Sequence, residues 1–403
     1  MLDGEFGEAC EIAMSVLVKL GEIYGADRMQ NVENVHIDGS AYGWINDAGL
    51  EVIRKLASSG GRFRVPATLN PSSIDFDMWQ ELKIAPEVSK KQLRLAKALL
   101  SMGGTPTWTC APYQYGAYLR FGQKVAWGES NAVSFANTVI GARTERLGDL
   151  ADVCAAIAGK YPRFGLYLDE NRRGQILFEA NRLDSDAFDS SDYGVLGFLI
   201  GSMAKARVPV VSGMPEKATF DQLKSFCAAA AVGGSVALCH LCGITPEAKT
   251  VPEAFHGSKP EEEIDIEAGD LEKTRQKLST VNDVPPEVIC IGCPHCSVQE
   301  LVKIARLIKN KKVEESARFL VFSSRAAKTL AEEMGAIETI ESAGGRVIAD
   351  TCWNFIPSKA RTVMTDSVKM AWTSLGKFTN VTLGNMETCV DVAVGAKPRG
   401  GPP

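Results

Sequence analysis

The stretch Glu287-Val-Ile-Cys290-Ile-Gly-Cys293-Pro-His-Cys296, running on into Ser297-Val-Gln-Glu-Leu-Val-Lys-Ile-Ala-Arg-Leu-Ile308, decides the fold class. Its first half is an apolar run of the kind a buried strand needs, and its second half is amphipathic at helical spacing. A strand handing over to a helix is one βα unit, and the carboxyl ends of such strands are where α/β proteins bind ligands. Three thiols at two-residue gaps, with Pro294 and His295 between them, are seldom arranged that way for packing alone.

The same rhythm extends on both sides. Val208–Val211 reads as a strand, Phe220–Val232 as a helix and Ser235–His240 as a strand; after the quoted unit come Phe319–Phe322 (strand), Arg325–Met334 (helix) and Arg346–Ala349 (strand). In the first half, residues 5–24 have helical spacing, Val35–Ile37 reads as a strand, Asn46–Ser58 as a helix and Phe63–Ala67 as extended. Lys90–Met102 then reads as a helix, Thr105–Cys110 as extended and Asn131–Ile140 as a helix. This alternation predicts an α/β fold of mostly parallel sheets flanked by helices, in two or three lobes dividing near 60–205 and 206–390. The acidic segment 260–270 reads as a solvated excursion and the tail from Lys397 as frayed. No repeat recurs at a fixed period.

Composition bounds the function. A chain of 403 residues with 45% hydrophobic and 23% charged residues can bury a large core. A net charge of −5 without a dense Lys/Arg block gives no reason to expect nucleic acid. No apolar stretch approaches membrane-spanning length, and the acidic start Met1-Leu-Asp-Gly-Glu is unlike a secretory signal, so a cytoplasmic protein with no membrane partner is expected. The eleven cysteines are odd in number and widely spaced, which suits reduced thiols better than a disulfide scaffold.

Three readings of the thiol-rich run stay open on spacing alone. Cys239-His-Leu-Cys242 with Cys290-Ile-Gly-Cys293 would make two zinc knuckles, though the gap between them is long. Cys290, Cys293 and Cys296 have the spacing of ferredoxin ligands but lack a nearby fourth Cys followed by Pro. All three could equally be buried thiols. Cys110 and Cys352 widen the choice: like Cys293 they stand at the exits of predicted strands, and three such thiolates would leave one iron of a 4Fe-4S cluster without a protein ligand.

Further motifs are spread along the chain: His36-Ile-Asp-Gly-Ser40, Val65-Pro-Ala-Thr-Leu-Asn70, Thr109-Cys110-Ala-Pro112-Tyr113 and Trp127-Gly-Glu-Ser-Asn131. Phe135-Ala-Asn137-Thr138, Gly141-Ala-Arg143-Thr144, His240 with Gly243-Ile-Thr-Pro-Glu-Ala248, Gly292-Cys293-Pro-His295 and Asp350-Thr-Cys352 complete the set. On these residues, and across almost its whole length, the chain resembles the aconitase X family, in the part that forms the large, catalytic subunit.

The resemblance implies aconitase-like lobes around a central site and an iron-sulfur cluster, 4Fe-4S when active with one labile iron, on Cys110, Cys293 and Cys352. It also implies a swivel domain on a separate small subunit, giving a heterodimer in which that partner supplies the catalytic base. The implied reaction is loss of water from a hydroxylated carboxylic acid. The first substrate is 5-phosphomevalonate, giving trans-anhydromevalonate 5-phosphate in an archaeal-type mevalonate pathway, and the alternative is cis-3-hydroxy-L-proline. A reading of another class is a non-catalytic iron-sulfur or zinc scaffold, or a redox sensor.

Within that frame Glu129, His240 and His295 are the candidate catalytic residues, and Ser40, Thr68, Asn70, Ser130, Asn131, Arg143 and Lys369 the candidate substrate-binding ones. Arg143 has the planar fork that suits a carboxylate or phosphate, or is a solvated helix-end arginine. Lys369 would bind an anionic group or be a solvated surface lysine. Ser40, Thr68, Ser130 and Asn131 would donate to a phosphate or serve as caps and turns, and Glu129 would relay a proton or favour a helix dipole. His240 and His295 are two of only four histidines, and each would hydrogen-bond a cluster sulfur or the departing hydroxide, or serve structure alone.

Overall fold

The computed structural model describes residues 1–184, 188–215, 217–280, 284–378 and 380–396. The tail from Lys397 lies outside the described residues. The chain forms two compact units. The first comprises Met1–Arg173 with Thr245–Glu247 and Asp350–Ile356, and the second Gly174–Ile244, Ala248–Ala349 and the chain from Pro357. The units therefore meet in sequence at Arg173 and Gly174, inside the span 60–205.

The first unit contains, in chain order, α1 (Glu8–Ile23), β1 (Met29–Asn31), β2 (Val35–Ile37), α2 (Tyr42–Ser58), β3 (Ala67–Leu69), α3 (Pro86–Ser101), β4 (Ala126–Trp127), α4 (Ser130–Phe135), α5 (Ala151–Ala158) and β5 (Lys160–Pro162). Strands β3-β2-β4 form a parallel sheet with His36 in register with Thr68 on one side and Trp127 on the other. Every residue of these three strands is buried. Sheets covered on both faces read as apolar runs for this reason. Strands β1 and β5 pair antiparallel.

The second unit contains β6 (Ile176–Glu179), α6 (Ser190–Ala204), β7 (Pro209–Ser212), α7 (Phe220–Gly234), β8 (His240–Leu241), α8 (Val251–Ala254), β9 (Glu262–Asp265), α9 (Ala268–Lys277), β10 (Val288–Cys296), α10 (Val298–Ile308), β11 (Arg318–Ser323), α11 (Arg325–Glu333), α12 (Ala336–Ser342), β12 (Arg346–Ala349), β13 (Thr362–Thr365), α13 (Val368–Ser374), β14 (Asn380–Leu383) and α14 (Met386–Ala393). They make two parallel sheets, ordered β8-β7-β6-β9 and β12-β11-β10-β13-β14. The α/β class with parallel sheets is thus observed. No helix among the described residues is long and apolar enough to cross a membrane.

Several elements depart from the sequence reading. Thr105–Cys110 is not a strand. Pro106 has no N–H to donate, and the Thr107 hydroxyl takes over part of the ladder, accepting from the Leu69 amide and donating to the Leu69 carbonyl, each at 2.9 Å. The expected Phe63–Ala67 strand starts only at Ala67, beyond Pro66. Ser235 closes α7 in a left-handed conformation, so the strand expected at Ser235–His240 shortens to β8. The helix expected over Asn131–Ile140 is α4 followed by a π-helical turn, Ala136–Ile140, ending at Gly141 with φ 71°. The acidic segment is no simple excursion, because Glu262–Asp265 form an edge strand whose carboxylates meet Arg207 and Arg182.

Helices α6 and α7 pack through small residues. A Cβ on Gly197 would lie 2.3 Å from the Phe226 carbonyl oxygen, and one on Gly201 would lie 2.5 Å from that of Ala230. Gly197→Ala should therefore lose more by overpacking, about 1–3 kcal/mol, than the ~1 kcal/mol that alanine gains in helix propensity. Calorimetry should show a fall of a few degrees in the unfolding midpoint. A rise would mean that the helices separate at no cost.

Candidate active site

Within the first unit the parallel register sets the site. His36 is fully buried on β2 beside Thr68 of β3, with its Nδ1 2.9 Å from Thr68 Oγ1 and its Nε2 3.1 Å from Asn70 Oδ1. The Asn70 amide NH2 faces two carboxylates, donating to Asp38 and, at 3.3 Å, to Glu129 Oε2. That orientation leaves Asn70 Oδ1 toward the imidazole as an acceptor, so His36 carries its proton on Nε2 and Nδ1 accepts from the Thr68 hydroxyl. Burial drives the His36 pKa down to about 4, so the ring is neutral at ordinary pH.

Glu129 caps α4, and four donors converge on it. Asn131 Nδ2 donates to its Oε1 at 2.8 Å, the Asn131 amide and the Ser130 hydroxyl donate to the same oxygen at 3.3 Å, and Asn70 serves Oε2. The fully buried Asn131 also donates to the Cys110 carbonyl at 3.0 Å and accepts from the Tyr113 hydroxyl at 3.0 Å. Asn131 therefore ties the Glu129 carboxylate to the backbone of Cys110. The Ser40 hydroxyl holds the Asn70 carbonyl at 2.7 Å. The turn after Asn70 in turn holds Cys352: the Ser72 amide donates to the Asp350 carbonyl at 2.7 Å, and the Thr351 hydroxyl donates to the Ser72 carbonyl at 2.9 Å. Asp350 turns the chain there with φ 62°, a conformation that Asp tolerates better than most residues.

One buried carboxylic acid supports the exit of β2. Asp152 accepts from the amides of Asp38, Gly39 and Val153, yet burial pushes its pKa up to about 7. Between about pH 4 and pH 7 the folded chain keeps a proton that the unfolded chain releases, so this group's contribution to stability is full below pH 4 and is lost as pH rises toward 7. Asp152→Asn cannot ionise. Relative to the parent, the variant should gain stability from about pH 4 to about pH 7 and level off above it, at ~1.4 kcal/mol per unit of displaced pKa at most. A parallel pair of stability curves from denaturant titrations would refute this.

The thiols differ in exposure. Cys110, Cys242, Cys293 and Cys352 are partly exposed, and the other seven cysteines are buried. Within the run only Cys293 is partly exposed, while burial holds the Cys296 thiol well above its usual pKa. The same cause acts on Cys239. Among the described residues no group of three or more His, Cys, Asp or Glu side chains is placed to hold a metal ion. Cys110 and Cys352, both partly exposed, are both fastened to the Asn70–Glu129 network.

The remaining candidates are dispersed. Arg143 is half-buried and paired with Asp169 at 2.5 Å and with Glu247 at 3.9 Å, outside the Glu129 network. Its neighbour Arg172 is fully buried, donating to both Glu247 oxygens and to Asn137 Oδ1. In the second unit His240 is buried on β8, His295 is buried beside Cys293, and Lys369 is half-buried in the first turn of α13. Sequence reasoning gave no role to His36, Asp38, Tyr113 or Asp152. A histidine inside an apolar strand followed by Asp38-Gly39 was the available signal for the first two.

A parallel sheet followed by a carboxylate that two asparagines orient, one of them tied to the backbone of the partly exposed Cys110, makes a polar site in an α/β fold. Models of the aconitase X first, second and third domains match residues 1–170, 174–276 and 286–395. The chain belongs to the aconitase X family. It is 41% identical over 355 residues to the phosphomevalonate dehydratase large subunit of Methanocaldococcus jannaschii, covering 87% of each chain. It is 34% identical over 410 residues to the cis-3-hydroxy-L-proline dehydratase of Pseudomonas aeruginosa, covering all of this chain and 70% of that one. A crystal structure of Thermococcus kodakaraensis aconitase X in its holo form superposes with a TM-score of 0.87 at 34% identity, covering 97% of both chains.

Proposed function

We propose that the chain is the large subunit of an iron-sulfur hydro-lyase that removes water from 5-phosphomevalonate to give trans-anhydromevalonate 5-phosphate. Membership of a family whose curated relatives are dehydratases makes it a hydro-lyase. The substrate choice rests on one observation. Identity to the proteins named phosphomevalonate dehydratase large subunit runs from 34% to 41%, three of them at 39–41%, against 34% to both cis-3-hydroxy-L-proline dehydratases. The proline substrate is the second reading, supported by the full-length match to the Pseudomonas protein. A polar network around a carboxylate is more than a scaffold or sensor requires, which favours an enzyme.

Cys110, Cys293 and Cys352 would hold the cluster, whose open iron would supply Lewis acidity for a poor leaving group. Glu129 is proposed to relay a proton at the substrate, held in place by Asn70 and Asn131. Ser40 and Thr68 hold the loop and the imidazole that orient Asn70. Arg143 and Lys369 are proposed to meet the anionic ends of the substrate, Arg143 by exchanging the largely exposed Asp169 for it. His295 or His240 would assist the departing hydroxide. The base comes from the small subunit that the names of the relatives imply.

The test is a dehydration assay on both substrates, using this chain reconstituted anaerobically with its small subunit. A site that recognises a phosphate rejects a ligand lacking it strongly, so kcat/KM should favour 5-phosphomevalonate by at least about a hundredfold. A preference for cis-3-hydroxy-L-proline would transfer the assignment to the second reading.

A further inference from the structure

We propose that Lys224, together with Ser323 and Ser367, is a positioning group for Cys293. The inference rests on the reading of Cys293 as a cluster ligand and concerns how the chain aims that thiol.

Lys224 is 3% exposed, on a helix whose buried face is otherwise alanine, phenylalanine, leucine and cysteine. Lysine is rarely buried, because removing an ammonium from water is costly unless every donor is used. Here all three are: the Nζ donates to Glu300, lies 3.1 Å from Asp221 and donates to the His295 carbonyl at 3.2 Å. Glu300 and Asp221 also reach Ser297, whose amide donates to Glu300 at 2.8 Å and whose hydroxyl donates to Asp221 at 2.8 Å.

Two further hydroxyls complete the hold. Ser367, at the start of α13, donates to the Cys293 carbonyl, and Ser323, at the end of β11, donates to the Cys296 carbonyl at 2.8 Å. Side chains from α7, β11 and the α13 cap thus grip the carbonyls of residues 293, 295 and 296. This is the segment where β10 leaves its register with β11, between Ile291 and Cys296. Carbonyls that have left the ladder need other donors, and these three fix the backbone around the one partly exposed thiol of the run. A buried ion cluster seldom adds net stability over apolar packing, whereas it can specify one geometry.

The experiment compares the full chain with Ser367→Ala, Ser323→Ala and the double variant Lys224→Met/Glu300→Gln, in which the new amide can still accept from the Ser297 N–H. Iodoacetamide labelling of the cluster-free chain is followed by mass spectrometry at Cys293, with Cys110 and Cys352 as references in the same sample. Iron per chain is measured after anaerobic reconstitution with the small subunit. Labelling at Cys293 alone should accelerate about fivefold per lost hydrogen bond, the factor that ~1 kcal/mol carries, and iron retention should fall. Unchanged labelling at Cys293 alongside a lowered unfolding midpoint would overturn the proposal and leave Lys224 a structural ion. If the double variant does not fold, the two serine variants decide the matter alone. Full iron retention in Cys293→Ser would instead defeat the ligand reading, while the labelling rates would still judge the positioning.

Discussion

Replacing any one of Cys110, Cys293 or Cys352 by alanine should abolish dehydration and cut the iron retained per chain, whereas Cys290→Ala and Cys296→Ala should keep both. Exposure carries the distinction. Cys290 is 4% and Cys296 1% exposed, and burial holds the Cys296 thiol well above its usual pKa. Cys293 lies between them and is partly exposed. Removal of one member of a set that acts as a unit costs nearly as much as removal of all, so the activity loss should reach about three orders of magnitude or more for each of the three. The buried pair should show a different phenotype, a lower unfolding midpoint from the small cavity each substitution leaves. Anaerobic iron analysis, visible absorption and the dehydration assay would be run on all five variants. Activity surviving in Cys110→Ala or Cys352→Ala would remove those residues from the ligand set, and loss in Cys290→Ala with an unchanged unfolding midpoint would restore the local triple.

What the sequence made legible follows from where its signals are local. Val288–Ile291 and Phe319–Phe322 are buried on both faces, so they stand out as apolar runs, and the helices after them have one strongly apolar side. β4 is two residues long and β9 is an exposed acidic edge, so neither carries a period-two or apolar signature. The site was half legible. Cys110, Glu129, Asn131 and Asn70 lie in stretches that could be singled out, and the structure joins them in one network. The connection itself depends on the register that sets His36 beside Thr68 and Trp127, and register between strands separated by some thirty or ninety residues is a tertiary property. Arg143 shows the converse, because a motif could mark it but only the fold shows Asp169 and Glu247 already beside it.

Glu129→Gln should lower kcat by about two to four orders of magnitude, the range that positioned acid-base groups contribute, with the iron content unchanged. The substitution keeps the size of the side chain but not its hydrogen bonding. Four donors face the Glu129 oxygens: Asn70 at Oε2, and Asn131 twice and Ser130 at Oε1. A glutamine must turn its NH2 toward one side, where it meets a donor, so either Asn70 or Asn131 loses its hold and the charge is lost as well. Glu129 is also the N-cap of α4, and a weakened cap costs about 1 kcal/mol of stability whatever the chemistry. The two roles therefore separate by measurement. A small fall in the unfolding midpoint with kcat within a few-fold of the parent would leave Glu129 a cap. A large fall in kcat with KM and iron little changed would place the carboxylate at the reacting atoms, because a group that only shaped the ground state would alter KM as well.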